Sequence, residues 1–139
     1  MARGLTYKQI YDKTPINRVE NSTRVVVRSL KFGMSKKLQI PKAIAQSWSP
    51  EKGANGKPKL FKYTTAIEFH DEGKVRLACS CPDFLYRWEY ALYKKGAAYL
   101  IYSNGDKPQE TNPKMIGGCC KHVIAVMSAL RKQKLVPKF

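Results

Sequence analysis

The chain has 139 residues, 43% of them hydrophobic, and carries 26 lysines and arginines against 10 acidic residues, a formal charge of +16. That length fits one domain, or one small domain with an extension, and no stretch approaches the ~20 apolar residues that a membrane-spanning helix needs. The opening MARGLTYKQIYDK lacks the apolar core of a secretory signal, which points to a reducing compartment where cysteines stay thiols. A charge of this size and sign favours an acidic partner, most commonly nucleic acid.

In chain order, TYKQIYDK predicts a short helix with Tyr7, Ile10 and Tyr11 on one face. Asn21-Ser22 breaks it off. The β-branched run Arg24 to Phe32 predicts a strand, Gly33 a turn, and Lys36 to Ile40 a returning strand. Pro41 suits the first position of a short helix through KAIAQSW to Trp48. Ser49 to Lys59 (SPEKGANGKPK) is rich in Gly, Pro and Lys and reads as a linker. It divides the chain into a basic N-terminal arm or subdomain, 1–58, and a second domain, 59–139. The charge divides in the same way. Residues 1–62 hold 14 basic and 3 acidic side chains, and the remainder hold 12 and 7.

The second part opens with the strongest hairpin pattern in the sequence. Phe61, Tyr63, Thr65, Ile67 and Phe69 alternate on one face, His70 to Gly73 turn, and Val75, Leu77 and Cys79 alternate on the way back. His70 sits at the turn and reads as a surface histidine. After Cys81, Pro82-Asp83 starts a helix that runs to Gly96. Phe84, Trp88 and Leu92 are its core stripe. Tyr86, Tyr90 and Tyr93 form a second stripe, flanked by Arg87 and Lys94; it reads as a second buried face, the alternative being an aromatic-basic platform for bases or a protein partner. An irregular stretch follows, with a turn at Ser103-Asn104-Gly105-Asp106. The last helix carries an apolar stripe of Val123, Val126, Met127 and Leu130, cations Arg131, Lys132 and Lys134 near its C-terminal end where they suit the dipole, and Pro137 beyond it.

Four residues organise this part. Cys79 and Cys81 form a C-x-C at a strand end, where residues i and i+2 point to the same side. Cys120 and His122 form a C-x-H just before the last helix. Residues i and i+2 within a helix diverge by roughly 200°, so Cys120 belongs at the cap and His122 in the first turn. Together they make a Cys3His set for one tetrahedral, structural Zn2+, and the helix N-terminus favours thiolate there. Disulfides are geometrically poor, since Cys79 and Cys81 are two apart and Cys119 and Cys120 are adjacent. Cys119 is a local alternative to Cys120.

A strand leading into C-x-C, a variable insert, and C-x-H opening a helix resembles the SWIM zinc finger, over about Lys59 to Leu135. The resemblance implies Cys79, Cys81, Cys120 and His122 as ligands, with the family spacing favouring Cys120 over Cys119. It also implies a finger that binds DNA or protein and does no chemistry itself. CPDFLYRWEYAL, YSNGDKPQETNPK and GGCCKHV are together similar to the small SWIM-type proteins of tailed bacteriophages, which implies a virion or host-cytoplasm setting.

The expected fold is therefore α+β: a β-hairpin plus helices tied by one structural zinc, behind a basic extension of short strands and helix. The expected role is a non-enzymatic assembly module in a larger complex such as a tailed-phage particle. Arg24, Arg28, Lys31, Lys36 and Lys37 are expected to contact phosphates or acidic protein surfaces. The alternative is a free, sequence-tolerant DNA- or RNA-binding protein. No membrane or small-molecule partner is expected. A catalytic zinc keeps an open position for water, whereas this set fills all four, and the acidic residues form no metal-binding cluster.

Overall fold

The computed structural model describes residues 4–37, 39–52, 55–99 and 112–134. It is an α+β fold with one five-stranded antiparallel sheet. The elements in order are β1 (Leu5–Thr6), α1 (Tyr7–Asp12), α2 (Ile16–Ser22), β2 (Val26–Met34), β3 (Pro41–Lys52), β4 (Pro58–Phe69), β5 (Lys74–Cys79), a π-helical turn (Phe84–Trp88), α3 (Glu89–Lys94) and α4 (Lys121–Lys132). The sheet order is β1-β5-β4-β3-β2, so β2 is an edge strand. The turn expected at Ser103 to Asp106 and the stop at Pro137 lie outside the described residues.

The expected hairpin forms, with Thr65 opposite Cys79, Ile67 opposite Leu77 and Phe69 opposite Val75. One face of both strands is thus apolar and ends at a metal ligand. Its turn is a short 3-10 segment in which Glu72 takes a φ of 63°, and His70 is half-buried, with Nε2 3.1 Å from Glu68 Oε1. Helix α1 forms as expected, closed by a capping box in which Thr6 Oγ1 accepts from Gln9 N–H and Gln9 Oε1 accepts from Thr6 N–H.

Residues 41 to 48 are not a helix. They open β3, a strand of 12 residues paired with β2 on one side and β4 on the other. Alanine and glutamine favour helix, but the alternation of the segment decides. Ala43, Ala45, Ser47 and Ser49 are completely buried, while Lys42, Ile44, Gln46 and Trp48 take the opposite face. Small inward side chains let the helical layer approach the sheet closely. The stretch read as a linker contains the ends of two paired strands, with Pro50 opposite Leu60 and Lys52 opposite Pro58. Lys36 and Lys37 lie in the turn after β2, and the partner of β2 is β3.

The core lies between the sheet's inner face and the helices. Tyr7 and Ile10 of α1 share it with Phe84, Trp88 and Leu92 and with the α4 stripe Val123, Val126, Met127 and Leu130. The N-terminal residues therefore complete the same core as the hairpin. The segment after Cys81 is not one continuous α-helix: it opens as a π-turn and tightens into α3. Its second stripe is not buried, since Tyr86 is 68% and Tyr93 41% exposed. The hydrophobic residues of one amphipathic helix fill one face, and this face is already supplied by Phe84, Trp88 and Leu92. No helix among the described residues is long and apolar enough to cross a membrane.

Candidate metal centre

β5 carries Cys79 at its end; Ser80 N–H still donates to Thr64 O of β4 at 3.0 Å, and Cys81 follows at a bend and joins Cys79 in one cluster. Cys120 is the N-cap residue of α4, with extended backbone (φ −85°, ψ 167°), and His122 sits in the first turn. One candidate ligand atom from each of Cys79, Cys81, Cys120 and His122 lies within 4.8 Å of every other. A tetrahedron with Zn–S bonds of about 2.3 Å has edges of about 3.8 Å, so the four side chains converge at the right scale. Each is at most 1% exposed.

The donor chemistry fits a divalent soft cation. His122 Nε2 is 3.0 Å from Ser49 Oγ, and its Nδ1 is buried with no hydrogen-bond partner. An orphaned buried ring nitrogen is costly, and it is the atom left to bind metal, with Nε2–H donating to Ser49. The Tyr63 ring packs edge-on against His122, with centroids 4.9 Å apart, which fixes the imidazole plane. Thr65 Oγ1 donates to Cys79 Sγ at 3.5 Å, and Phe84 N–H donates to Cys81 Sγ at 3.4 Å. Both bonds favour thiolate.

The three thiols compete for one negative charge. Burial opposes ionisation of Cys79, but hydrogen bonds from Cys120 and Cys81 and the nearness of His122 outweigh it and hold its thiol well below the usual range. Cys81 moves the other way: its hydrogen bond to Cys120 favours the thiolate, but the bond to Cys79, burial and the Cys79 charge together raise it. Burial, followed by the bonds to Cys79 and Cys81, raises Cys120 well above the usual range. Three thiolates can share this space only around a cation such as Zn2+. The cluster is accordingly a site for one zinc ion, with Cys79, Cys81, Cys120 and His122 as the side chains that would hold it.

Cys119 is not part of the cluster. It is fully buried, and its Sγ lies 3.6 Å from Thr14 Oγ1. Burial pushes its thiol up to about 12, so it is a neutral packing residue. Its backbone N–H donates to Thr14 Oγ1 at 3.1 Å, which anchors the turn that delivers Cys120. Gly118, one residue earlier, passes so close to the core that an added Cβ would lie 3.1 Å from Trp88 Cζ3 and 3.2 Å from Thr14 Cα. Asn112 fastens the approach to this turn: its Nδ2 donates to Arg87 O and Ile116 O, and its Oδ1 accepts from Ile116 N–H.

Several supporting residues come from the first 58 positions and carry no motif. Besides Thr14 and Ser49, Arg18 forms two hydrogen bonds to Asp83, of 3.2 and 2.7 Å. Asp83 Oδ2 also accepts from Trp88 Nε1. Asp83, where this helical segment starts, makes no side-chain capping bond and instead ties α2 to the turn after Cys81. An alternation of small residues in AIAQSWS was the available signal for Ser49. Nothing in the sequence marks Thr14 or Arg18.

The five expected contact cations do not converge on the metal. Arg28 and Lys31 lie on edge strand β2, Arg24 just before it, and Lys36 and Lys37 in the turn after it; all five are exposed.

Residues 63–96 and 114–131 match the family model described as SWIM zinc finger. The matched segments contain all four cluster residues and exclude Thr14, Arg18 and Ser49. The chain thus carries a SWIM zinc finger, with supporting contacts added from outside the matched segments. Comparison with the curated proteins and with the solved structures gives no match.

Proposed function

We propose that this protein is a non-enzymatic, zinc-stapled module that works within a larger assembly and holds an acidic partner through its basic surface. The observation that carries the reading is the closed metal site. Four buried side chains fill a tetrahedral set, and a zinc so enclosed stabilises a fold and has no free position to activate water or polarise a substrate. Its work is to fix α4 and the Cys81 turn against the sheet. What the module then offers to a partner is its surface, which is strongly basic.

Arg24, Arg28, Lys31, Lys36 and Lys37 are the proposed first contacts, because they sit exposed along the free edge of the sheet and its flanking turns. A tailed-phage particle, or the host cytoplasm in which one is built, is the proposed setting; its support is the sequence resemblance in the CPDFLYRWEYAL, YSNGDKPQETNPK and GGCCKHV stretches. The test is affinity capture of the full chain from the cells that make it, with and without nuclease. The reading expects partner proteins to remain after nuclease treatment. Recovery of nucleic acid alone would instead favour a free nucleic-acid-binding protein.

A further inference from the structure

We propose that the outer face of the five-stranded sheet is a binding platform for single-stranded nucleic acid, with Trp48 as its stacking surface. This rests on the reading of the protein as a binding module and names its acidic partner. The helices pack on one side of the sheet; on the other, Tyr99 covers the Glu68–Arg76 end, its Oη on Glu68 and its ring under Arg76, while Val26 and Ile44 stand exposed further along. Strand register sorts that outer face into cross-strand rows: Val26, Trp48 and Lys62; Arg28, Gln46 and Thr64; Lys31, Ile44 and Ala66; Gly33, Lys42, Glu68 and Arg76. Every row carries a cation. The one acid, Glu68, is 8% exposed and is already engaged, accepting from Tyr99 Oη at 2.9 Å and lying 3.1 Å from His70 Nε2. The face therefore presents positive charge with almost no opposing charge, which is the complement of a phosphate backbone.

Charge alone would suit any polyanion. The apolar groups between the cations narrow the choice. Ile44 is 42% and Val26 48% exposed, and Trp48 is half-buried between them, in register with Val26 and Lys62. Lys62 Nζ stands 5.7 Å from the Trp48 ring centroid, which puts a phosphate-seeking ammonium beside an aromatic face. Interleaved aromatic and basic side chains on an open surface are what unpaired bases use, stacking on the rings while the backbone tracks the cations. A duplex hides its bases and is read by an element that enters a groove. This sheet presents a broad surface, and α4, the longest helix described, has its stripe buried in the core. The beta-bulge between Arg28 and Lys31, where Ser29 has a φ of 54°, keeps both cations on this face.

The chain has two tryptophans, and Trp88 is only 2% exposed. Quenching of tryptophan fluorescence by a bound strand therefore reports on Trp48. The experiment titrates the zinc-loaded full chain with oligothymidylate of roughly ten nucleotides, with a duplex of the same length, and with polyglutamate. Zinc content and melting temperature check each variant for folding. The expected result is quenching by the single strand, weaker binding of the duplex, and none of the quenching with polyglutamate. Trp48→Leu, which lacks this reporter and is followed instead by the anisotropy of a fluorescein-labelled strand, should weaken the single-strand affinity about ten-fold. Arg28→Ala with Lys62→Ala should lower the log–log salt slope by about 1.4, since each phosphate contact on a single strand contributes about 0.7. Lys114→Ala with Lys132→Ala, away from this face, should leave affinity within about two-fold. Equal binding of the duplex, no loss in Trp48→Leu, or an equal loss in the Lys114 and Lys132 variant would overturn the platform. If the single strand does not bind while captured proteins survive nuclease, the platform falls and the assembly reading stands. If the single strand binds as described and no protein is captured, the platform stands and the assembly reading falls.

Discussion

His122 Nε2 and Ser49 Oγ lie 3.0 Å apart although 73 positions separate them in the chain. The bond joins the first turn of α4 to the inward face of β3, and it assigns the ring nitrogens: Nε2 to serine, Nδ1 to metal. Groups that orient a metal-bound histidine and fix its tautomer typically contribute 10- to 100-fold in metal affinity. Ser49→Ala should therefore weaken zinc binding by about that factor while leaving one zinc per chain at saturation. Competition against a chromophoric chelator measures it. An unchanged affinity would mean that packing by Tyr63 alone fixes the imidazole.

The two adjacent cysteines should separate cleanly. Cys120 belongs to the cluster, whereas Cys119 faces Thr14. Cys120→Ser should lose stoichiometric zinc. Cys119→Ser should keep it and lose on the order of 1 kcal/mol of stability, because the new hydroxyl can still meet Thr14. Zinc analysis with thermal melting distinguishes the two, and release of zinc by the Cys119 variant alone would reverse the ligand assignment.

Zinc should also leave as pH falls. In the metal-free site Cys81 and Cys120 are both raised and so hold their protons, and metal binding must expel them. Cys79 already favours its thiolate and contributes less. Lowering the pH returns protons to the two raised thiols and competes with the ion, so log affinity should rise with pH at a slope of about two protons per ion. A flat profile across the neutral range would show that the thiols are not the ligands.

A fragment beginning at Lys59 keeps all four ligands, yet it should not fold. It loses Tyr7 and Ile10 from the core, the whole inward row Ala43, Ala45, Ser47 and Ser49, and the anchors Thr14 and Arg18. Burial of a large side chain alone is worth about 1.5 to 3 kcal/mol, against a total stability of about 5 to 15. The fragment should show no cooperative melt with zinc present. A sharp transition like that of the full chain would support the division at residue 58.

What could be seen in the sequence follows from what each side chain had to satisfy. The β4–β5 hairpin was visible because its inward residues are β-branched, aromatic or apolar at every second place, from Tyr63 to Phe69 and from Val75 to Cys79. The ligands were visible because C-x-C on a strand and C-x-H at a cap are mechanically constrained, and both Cys120 and His122 occupy the positions those constraints require. β3 was hidden because its inward residues are Ala and Ser. Their small size is what allows the helices to sit close, but it removes the hydrophobic alternation that marks a strand, and Pro41 with two alanines imitates a helix start. The support from Thr14, Arg18 and Ser49 was hidden for a different reason. A hydrogen bond between distant residues leaves no periodic trace, and threonine, arginine and serine are also residue types common at surfaces and helix caps.

The central claim is that three cysteines and one histidine close the coordination sphere of one zinc ion. X-ray absorption at the zinc edge of the full chain tests it most directly. The account predicts three sulfurs at about 2.3 Å and one nitrogen at about 2.0 Å with no oxygen ligand. His122→Ala should lose stoichiometric zinc, read by metal analysis of the purified variant. A first shell with an oxygen, or with only two sulfurs, would contradict a closed structural site and reopen the question of chemistry at the metal.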